Sequence, residues 1–504
     1  LVSFAENTDA ARAAWVHAWG LIRRQGLSLT LVRERGIMIG KIFKAYDVRA
    51  TYPDPLNEEA AWKVGYATGI YLQQLNHGKP GTVLVSRDMR PHSPALVQAL
   101  IQGILAAGMD VTNLGMCDTS FMYFAINHVG AVGGVQTTAS HNPIHYNGFK
   151  ISGPQAKPIG ADTGLKEIQK IAEGVGAAVD RSPKGQLSER DLWADYRQHV
   201  LSFFTKPQRK LKVFIDACNG MGGKLVPGVF KELPGVEIVP LNFEITGKFV
   251  HEPNPLVAAN MVPTQEGVRR HGADLGVCFD GDADRCILTD EKGQIIGCDH
   301  LTALMTSHFM KQAPGAAVVY DLRSSKVVEE TIRNAGGKPI KSRVGHVFIK
   351  ATLREHDGIF GGELSGHFYF KDNFFTDSGA ITFAVVLSIL GQSDQTLSQL
   401  IAPFQKYPQS GERNFKAQDK QGVMDSLKSE FGKRGATVEE LDGVSIDLWD
   451  QASGGGGGGG FWFNVRASNT EPLLRLNAEA KDAATLDKLL KELTPKLGTP
   501  DAGH

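Results

Sequence analysis

Leu211-Lys212-Val213-Phe214-Ile215-Asp216 is an apolar run that breaks abruptly into Asn219-Gly220-Met221-Gly222-Gly223 and then into sequence of helical period. A short apolar strand ending on a carboxylate and a glycine-bearing loop is the start of a strand–loop–helix unit. Two more units follow the same plan. Thr82–Ser86 runs into Arg87-Asp88-Met89-Arg90, and Ala316–Asp321 runs into Arg323-Ser324-Ser325. After the first of these, Ser93–Ala107 places apolar residues three and four apart, as a helix packed on a sheet requires. The three units are too widely spaced for a solenoid. They predict three tandem α/β domains of similar design.

Working outward, Asn57 followed by Glu58 and Glu59 is an N-cap with acids in the first turn, opening a helix to about Leu75. Ile39–Tyr46 is strand-like. The basic connector Lys206–Lys212, the end of a hairpin near Gly297 and the Pro, Gly and Ser cluster at Pro408–Arg413 suggest boundaries. Beyond them a smaller α+β unit is expected. Asp419–Arg434 and Ala483–Leu493 are helical in pattern, with strands near Gly443–Leu448, Phe461–Arg466 and Leu473–Ala480. The resulting division is 38–205, 206–297, 298–409 and 410–504, with residues 1–37 as an extension outside the fold. The seven glycines Gly454–Gly460 read as a floppy hairpin tip, because no helix follows that could make them a phosphate loop.

Composition narrows the function. In 504 residues, 54 Lys+Arg balance 54 Asp+Glu, which argues against a nucleic-acid groove or a polybasic membrane surface. No apolar run is long enough for a spanning helix. Cys117, Cys218, Cys278, Cys286 and Cys298 form an odd, sparse set with no C-x-x-C spacing, expected to make neither a disulfide framework nor a zinc site. Reduced cysteines and a cytoplasmic protein are the expectation. The 57 glycines are in excess of ordinary usage, and phosphate-cradling loops need glycine.

Four loops could carry chemistry. Asp280-Gly281-Asp282-Ala283-Asp284-Arg285 places three carboxylates at alternate positions, a hard oxygen cage suited to Mg2+. An EF-hand, which Glu291 at the twelfth position would suit, is disfavoured because Arg285 stands where that loop needs glycine and the flanks are strand-like. Thr137-Thr138-Ala139-Ser140-His141-Asn142-Pro143 presents a serine beside a histidine, which as local sequence fits a hydrogen-bonded turn as well as a nucleophile. Gly361-Gly362-Glu363-Leu364-Ser365-Gly366-His367 offers acceptors and donors between glycines, as polyol recognition requires. Arg466-Ala467-Ser468-Asn469-Thr470-Glu471-Pro472, with Arg475 beyond, suits an anion such as phosphate.

Together, and in this order, the loops resemble the phosphoserine, metal, sugar and phosphate loops of the α-D-phosphohexomutase family. The similarity spans Met38 to Leu493. Phe43-Lys44-Ala45-Tyr46-Asp47-Val48-Arg49, Leu364 and Val344-Gly345-His346-Val347-Phe348-Ile349-Lys350 resemble its bacterial phosphomannomutase/phosphoglucomutase branch. The resemblance implies a heart-shaped molecule with a central cleft: three α/β domains with mixed sheets and a C-terminal TATA-binding-protein-like α+β domain. It implies a cytoplasmic isomerase that interconverts hexose 1-phosphate and hexose 6-phosphate, of mannose, glucose or both. Ser140 would be the phosphoserine, a hexose 1,6-bisphosphate the intermediate and activator, and Asp280, Asp282 and Asp284 the Mg2+ ligands together with Ser140. Lys150 and His367 would move protons, and Arg49 and Arg285 would steady substrate and phosphoserine. Glu363 and Ser365 would grip sugar hydroxyls. Arg466, Ser468, Asn469, Thr470 and Arg475 would hold the non-reacting phosphate, with Tyr46, Arg323 and His346 lining the cleft. Partners are small sugar phosphates, with no nucleic acid or membrane, in a monomer or homodimer. The alternatives are a phosphoglucosamine mutase and, in another class, a sugar phosphatase with an aspartate nucleophile. Ala50, Ala283 and Ala467 depart from the family's usual residues.

Overall fold

The computed structural model describes residues 39–450, 459–468 and 473–501. Residues 1–37, most of the Gly454–Gly460 run, Asn469 and Thr470 lie outside them. The strands fall into four sheets. The first contains β1 (Val48–Thr51), β2 (Thr82–Arg87), β3 (Asp110–Met116), β4 (Gly133–Thr137), β5 (Tyr146–Ser152) and β6 (Leu187–Glu189), ordered β1-β5-β4-β2-β3-β6. β5 runs antiparallel to β1 and β4, and the remaining pairs are parallel. The second contains β7 (Leu211–Asp216), β8 (Val236–Leu241), β9 (Leu275–Phe279) and β10 (Cys286–Thr289), with β7 parallel to both β8 and β9. The third contains β11 (Ala317–Asp321), β12 (Lys338–Ser342), β13 (Phe360–Gly362), β14 (Phe368–Phe370) and β15 (Thr376–Asp377), and is again mixed. All three predicted strand–loop–helix units are present.

The fourth sheet is wholly antiparallel. It contains β16 (Arg413–Lys416), β17 (Thr437–Glu439), β18 (Val444–Asp447), β19 (Phe461–Ala467), β20 (Leu473–Ala480) and β21 (Thr499–Asp501). The helices Lys420–Lys433 and Ala483–Leu497 cover it, with Leu427, Phe431, Leu489 and Leu493 packed on Phe463, Val465 and Leu476. This core is separate. The apolar cluster of the other three sheets is continuous from Leu84 through Phe279 to Ile401.

One local expectation fails. Ile39–Ile42 is a 3₁₀ turn, not a strand. Ile39 and Ile42, three residues apart, are both buried, which a three-residue turn achieves and an alternating strand does not. The sheet begins instead at Val48, opposite Phe149. The cap reading holds: Asn57 Oδ1 accepts from the Ala60 N–H at 3.0 Å at the start of the helix Glu58–Leu75.

That helix packs on Ser93–Ala106 at close range through glycine. A Cβ at Gly103 would lie 2.1 Å from the Trp62 carbonyl oxygen, and one at Gly65 would lie 2.2 Å from that of Leu100. Backbone cannot yield as a side-chain tip can. Gly103→Val is expected to destabilise the first sheet's helical layer by about 1–3 kcal/mol, read as a lower urea midpoint.

Candidate active site

The serine loop leaves β4 at Thr137, and Ser140 adopts φ 49°, a left-handed conformation that few side chains occupy. Arg90, 0% exposed, holds the loop in this shape. Its guanidinium donates to the carbonyls of Ser140 (2.8 Å), Asn142 (2.7 Å), Pro143 (2.6 Å) and Tyr146 (3.0 Å), while Asp88 Oδ2 accepts from its Nε at 3.1 Å. Four converging carbonyls make a site only a buried cation satisfies. Sequence reading passed over Arg90, although a charged pair just past a parallel strand end was the available signal.

The metal loop is the hairpin between β9 and β10, pressed against the serine loop. A Cβ on Gly281 would sit 2.3 Å from the Ser140 carbonyl oxygen, so only glycine fits. Ala283 adopts φ 56°, which explains why glycine would be easier there. Ser140 Oγ donates to Asp280 Oδ2 at 2.9 Å, and Arg285 reaches Asp280 Oδ2 through Nε at 2.8 Å and Ser140 Oγ through Nη2 at 3.2 Å. Lys150 Nζ bridges Asp282 Oδ2 (2.8 Å) and Asp284 Oδ2 (2.5 Å), and Thr119 Oγ1 adds a 2.6 Å hydrogen bond to Asp282 Oδ2. Burial pushes the Asp280 carboxyl up to about 6, with Asp284 and Asp282 adding to the rise and Arg285 opposing it. Burial acts the same way on Asp284, but Lys150 and His367 hold it well below the carboxylate range. Lys150 stays above its ordinary value because the two carboxylates outweigh burial.

The donor set suits a hard cation. Three carboxylates have oxygen atoms within 4.8 Å of one another. Asp282 Oδ1 is buried without a hydrogen-bond partner among the described residues, which is costly unless something positive is supplied, and Asp284 Oδ1 has only the longer contacts of His367 Nε2 (3.4 Å) and Arg285 Nε (3.8 Å).

Above this cluster lies an open cleft of about 590 Å³. His141 and Arg285 line its floor, and Tyr46 and His346 line one wall, their rings 5.8 Å apart. The β13–β14 turn supplies Glu363, Ser365 and His367. Glu363 accepts from the Tyr369 hydroxyl at 2.8 Å, and Ser365 Oγ lies 2.8 Å from His367 Nδ1, leaving Nε2 facing Asp284 Oδ1 at 3.4 Å. Burial lowers the His367 pKa, but Asp284 and Asp377 reverse it, so the ring lies above its ordinary value. His346 is driven well below by burial and by Lys350 and His367 beside it.

Arg323, Arg466, Ser468 and Arg475 line the same cleft. Arg466 and Arg475 face each other directly across β19 and β20, a like-charge pair that is unfavourable without an anion. Glu412 serves as that anion, accepting from Arg475 (2.7 Å), Arg466 (3.0 Å) and Arg323 (3.2 Å). Glu412 lies in the Pro408–Arg413 stretch, whose Pro, Gly and Ser composition marks a boundary and carries no sign of this role. Arg49 lies off the cleft wall, pairing with Asp47 and donating to Asn142 Oδ1 at 2.7 Å in the serine loop.

Four family descriptions match in succession: phosphoglucomutase/phosphomannomutase α/β/α domain I over residues 40–177, domain II over 193–293, domain III over 298–407 and the C-terminal domain over 412–496. A phosphohexose mutase of Xanthomonas campestris pv. campestris is 38% identical over 457 residues, covering 90% of this chain and 98% of the relative. A phosphomannomutase of Escherichia coli K12 is 38% identical over 448 residues, covering 87% and 94%. Among solved structures, a phosphoglucomutase/phosphomannomutase family protein of Burkholderia thailandensis superposes with a TM-score of 0.80 at 30% identity, covering 91% of this chain and 98% of that one. With relatives this similar end to end, the chain belongs to the phosphoglucomutase/phosphomannomutase family of hexose-phosphate mutases.

Proposed function

We propose that the protein interconverts the 1- and 6-phosphates of mannose and glucose, with Ser140 as the phosphoryl carrier and a hexose 1,6-bisphosphate as intermediate and activator. The supporting observation is the placement of Ser140 Oγ between Asp280 and Arg285 at the floor of a cleft whose upper rim gathers three arginines on one carboxylate. In the forward transfer the Oγ–phosphorus bond of phosphorylated Ser140 breaks and a bond to a sugar oxygen forms. The sugar hydroxyl's proton passes to His367 Nε2 in the ring's neutral form, while Lys150, kept charged by Asp282 and Asp284, is suited to give a proton and not to take one. In the reverse transfer the turned-over bisphosphate returns its other phosphoryl group to Ser140: the bond from that phosphorus to the sugar oxygen breaks as the bond to Oγ forms, and a proton returns to the sugar oxygen from the same floor groups. Asp280, Asp282, Asp284 and the serine oxygen would hold Mg2+, which supplies charge neutralisation for the transferring group. Arg285 Nη2 steadies the same oxygen.

Arg323, Arg466 and Arg475 would hold the non-reacting phosphate in place of Glu412, while Glu363 and Ser365 take sugar hydroxyls. Because the fourth sheet has its own core, its phosphate-binding edge can shift relative to the serine to accept either end of the sugar. Arg466→Ala is expected to raise KM for the hexose phosphate by about tenfold to a hundredfold, with a smaller effect on kcat.

The sugar is tested by initial rates on mannose 1-phosphate, glucose 1-phosphate and glucosamine 1-phosphate with bisphosphate activator present. The first two are expected to be turned over within about tenfold of each other. Strong preference for glucosamine 1-phosphate would overturn the assignment in favour of a phosphoglucosamine mutase.

A further inference from the structure

A second cluster of metal-ligating side chains lies behind the metal loop. β7 and β9 are parallel neighbours in which Asp216 stands directly opposite Cys278. Just past the strand end, Cys218 turns back with φ 50° and brings its Sγ to 3.4 Å from that of Cys278. The segment after β8 delivers His251, whose Nε2 lies 3.8 Å from Cys218 Sγ and 2.9 Å from Asp216 Oδ2. Asp216, Cys218 and Cys278 are each 0% exposed, and their ligand atoms lie within 4.8 Å of one another.

We propose that Asp216, Cys218, His251 and Cys278 form a binding site for a thiophilic divalent cation, Zn2+, separate from the carboxylate loop. Two independent features carry this. The first is shape. Tetrahedral zinc with ordinary bond lengths sets donor–donor edges of about 3.8 Å for two sulfurs, about 3.6 Å for sulfur and nitrogen and about 3.4 Å for nitrogen and oxygen. The observed 3.4, 3.8 and 2.9 Å are three of the six edges and lie within about 0.5 Å of those values. Asp216, Cys218 and Cys278 already close on one another, and a turn of the His251 ring toward Cys278 would complete the tetrahedron. The second is the histidine's orientation. His251 Nδ1 sits 3.0 Å from the Glu252 carbonyl oxygen and Nε2 sits 2.9 Å from Asp216 Oδ2, and since both oxygens accept, the ring donates to each, with the Nε2 proton standing where a cation would replace it. The Nδ1 contact is the outer hydrogen bond that metal-binding histidines make, and it leaves Nε2 pointing into the cluster. The carboxylate is likewise pre-oriented: Asp216 Oδ1 accepts from the Cys218 N–H (2.9 Å) and Asn242 Nδ2 (3.0 Å), turning Oδ2 inward.

On binding, the two thiols and His251 Nε2 release their protons to solvent, so that two thiolates, the Nε2 lone pair and the Asp216 carboxylate complete the set. Ligand hardness keeps the sites apart. Thiolates select zinc over magnesium, and the three aspartates favour magnesium. The spacing of the cysteines conceals this site because its ligands come from two paired strands and a distant loop, not from one knuckle. The cluster also abuts the catalytic floor, since the Met221 N–H donates to the Gly281 carbonyl at 2.9 Å.

The test uses the full-length protein, stripped with a chelator, loaded with Zn2+ and dialysed against excess Mg2+. One zinc ion per chain should remain by elemental analysis, and Co2+ in its place should show thiolate-to-metal charge transfer and the intense visible bands of a tetrahedral site. Cys218→Ser/Cys278→Ser should lose both signals, His251→Ala should raise the zinc Kd at least about tenfold, and Asp282→Asn should keep the zinc. Circular dichroism identifies a variant that has failed to fold, and the wild-type cobalt spectrum stands whatever the variants do. Absence of thiolate–cobalt bands in the wild type, zinc retention unaffected by the cysteine pair, or an intact mass showing a Cys218–Cys278 disulfide would each overturn the proposal.

Discussion

Ser140→Ala is expected to lower turnover of glucose 1-phosphate by roughly 10⁴-fold or more, because no other hydroxyl can carry the phosphoryl group between the two transfers. Ser140 Oγ is the oxygen shared by Asp280 and Arg285 on the cleft floor. Its backbone shape is imposed by Arg90 and by the contact with Gly281, so removing one oxygen should leave the loop in place. The coupled assay should be paired with peptide mass spectrometry of the wild type after incubation with the bisphosphate. A phosphoryl increment on the peptide containing Ser140 is expected, absent in the variant. Full activity in the variant would point to an aspartate nucleophile in the metal loop and a phosphatase-like chemistry.

Asp282→Asn should come next in size, with kcat reduced by about 10³-fold and a weakened response to added Mg2+. Asp282 Oδ2 already serves Lys150 and Thr119, so its bare, buried Oδ1 is the atom left for a cation. Asparagine keeps the shape and the hydrogen bonds but removes the charge. Lys150 retains Asp284 as a partner at 2.5 Å, so the fold should persist and unfolding curves should stay near wild type. Magnesium titration of kcat separates the outcomes: an unchanged midpoint and unchanged turnover would remove Asp282 from the metal set.

Much of the molecule was legible along the chain. The runs ending at Ser86, Asp216 and Asp321 are strands because short apolar segments stopped by glycine, aspartate or arginine have few other solutions, and β7 and β20 fall on the predicted residues. Asn57 caps its helix because the reach from its side chain to the third N–H beyond is local geometry. The strand expected over Ile39–Tyr46 is absent from Ile39–Ile42 because Ile-Gly-Lys-Ile, with its two apolar residues three apart, fits a turn as well as a strand until the covered side is known. The strands β16 and β21 went unread, since Arg413–Lys416 and Thr499–Asp501 are polar and become strands only by pairing with each other and with β20.

The functional residues divide along the same line. Asp280, Asp282 and Asp284 could be singled out because their chemistry is carried by side chains at alternate positions, whereas Ser140, as local sequence no more than a turn serine, needed the family resemblance. Arg90, Glu412 and the Cys218–Cys278 pair could not be singled out. Arg90 matters through four carbonyls fifty or more positions away, and Glu412 through arginines on β19, on β20 and just past β11. Cys218 meets Cys278 because β7 and β9 are paired in one register. The sequence by itself determined which groups exist and the local turns that present them, since those depend on neighbouring residues and backbone sterics. Tertiary structure alone decided which charges meet, which oxygens are left bare and which thiols touch, because strand register and burial are set by contacts between distant parts of the chain.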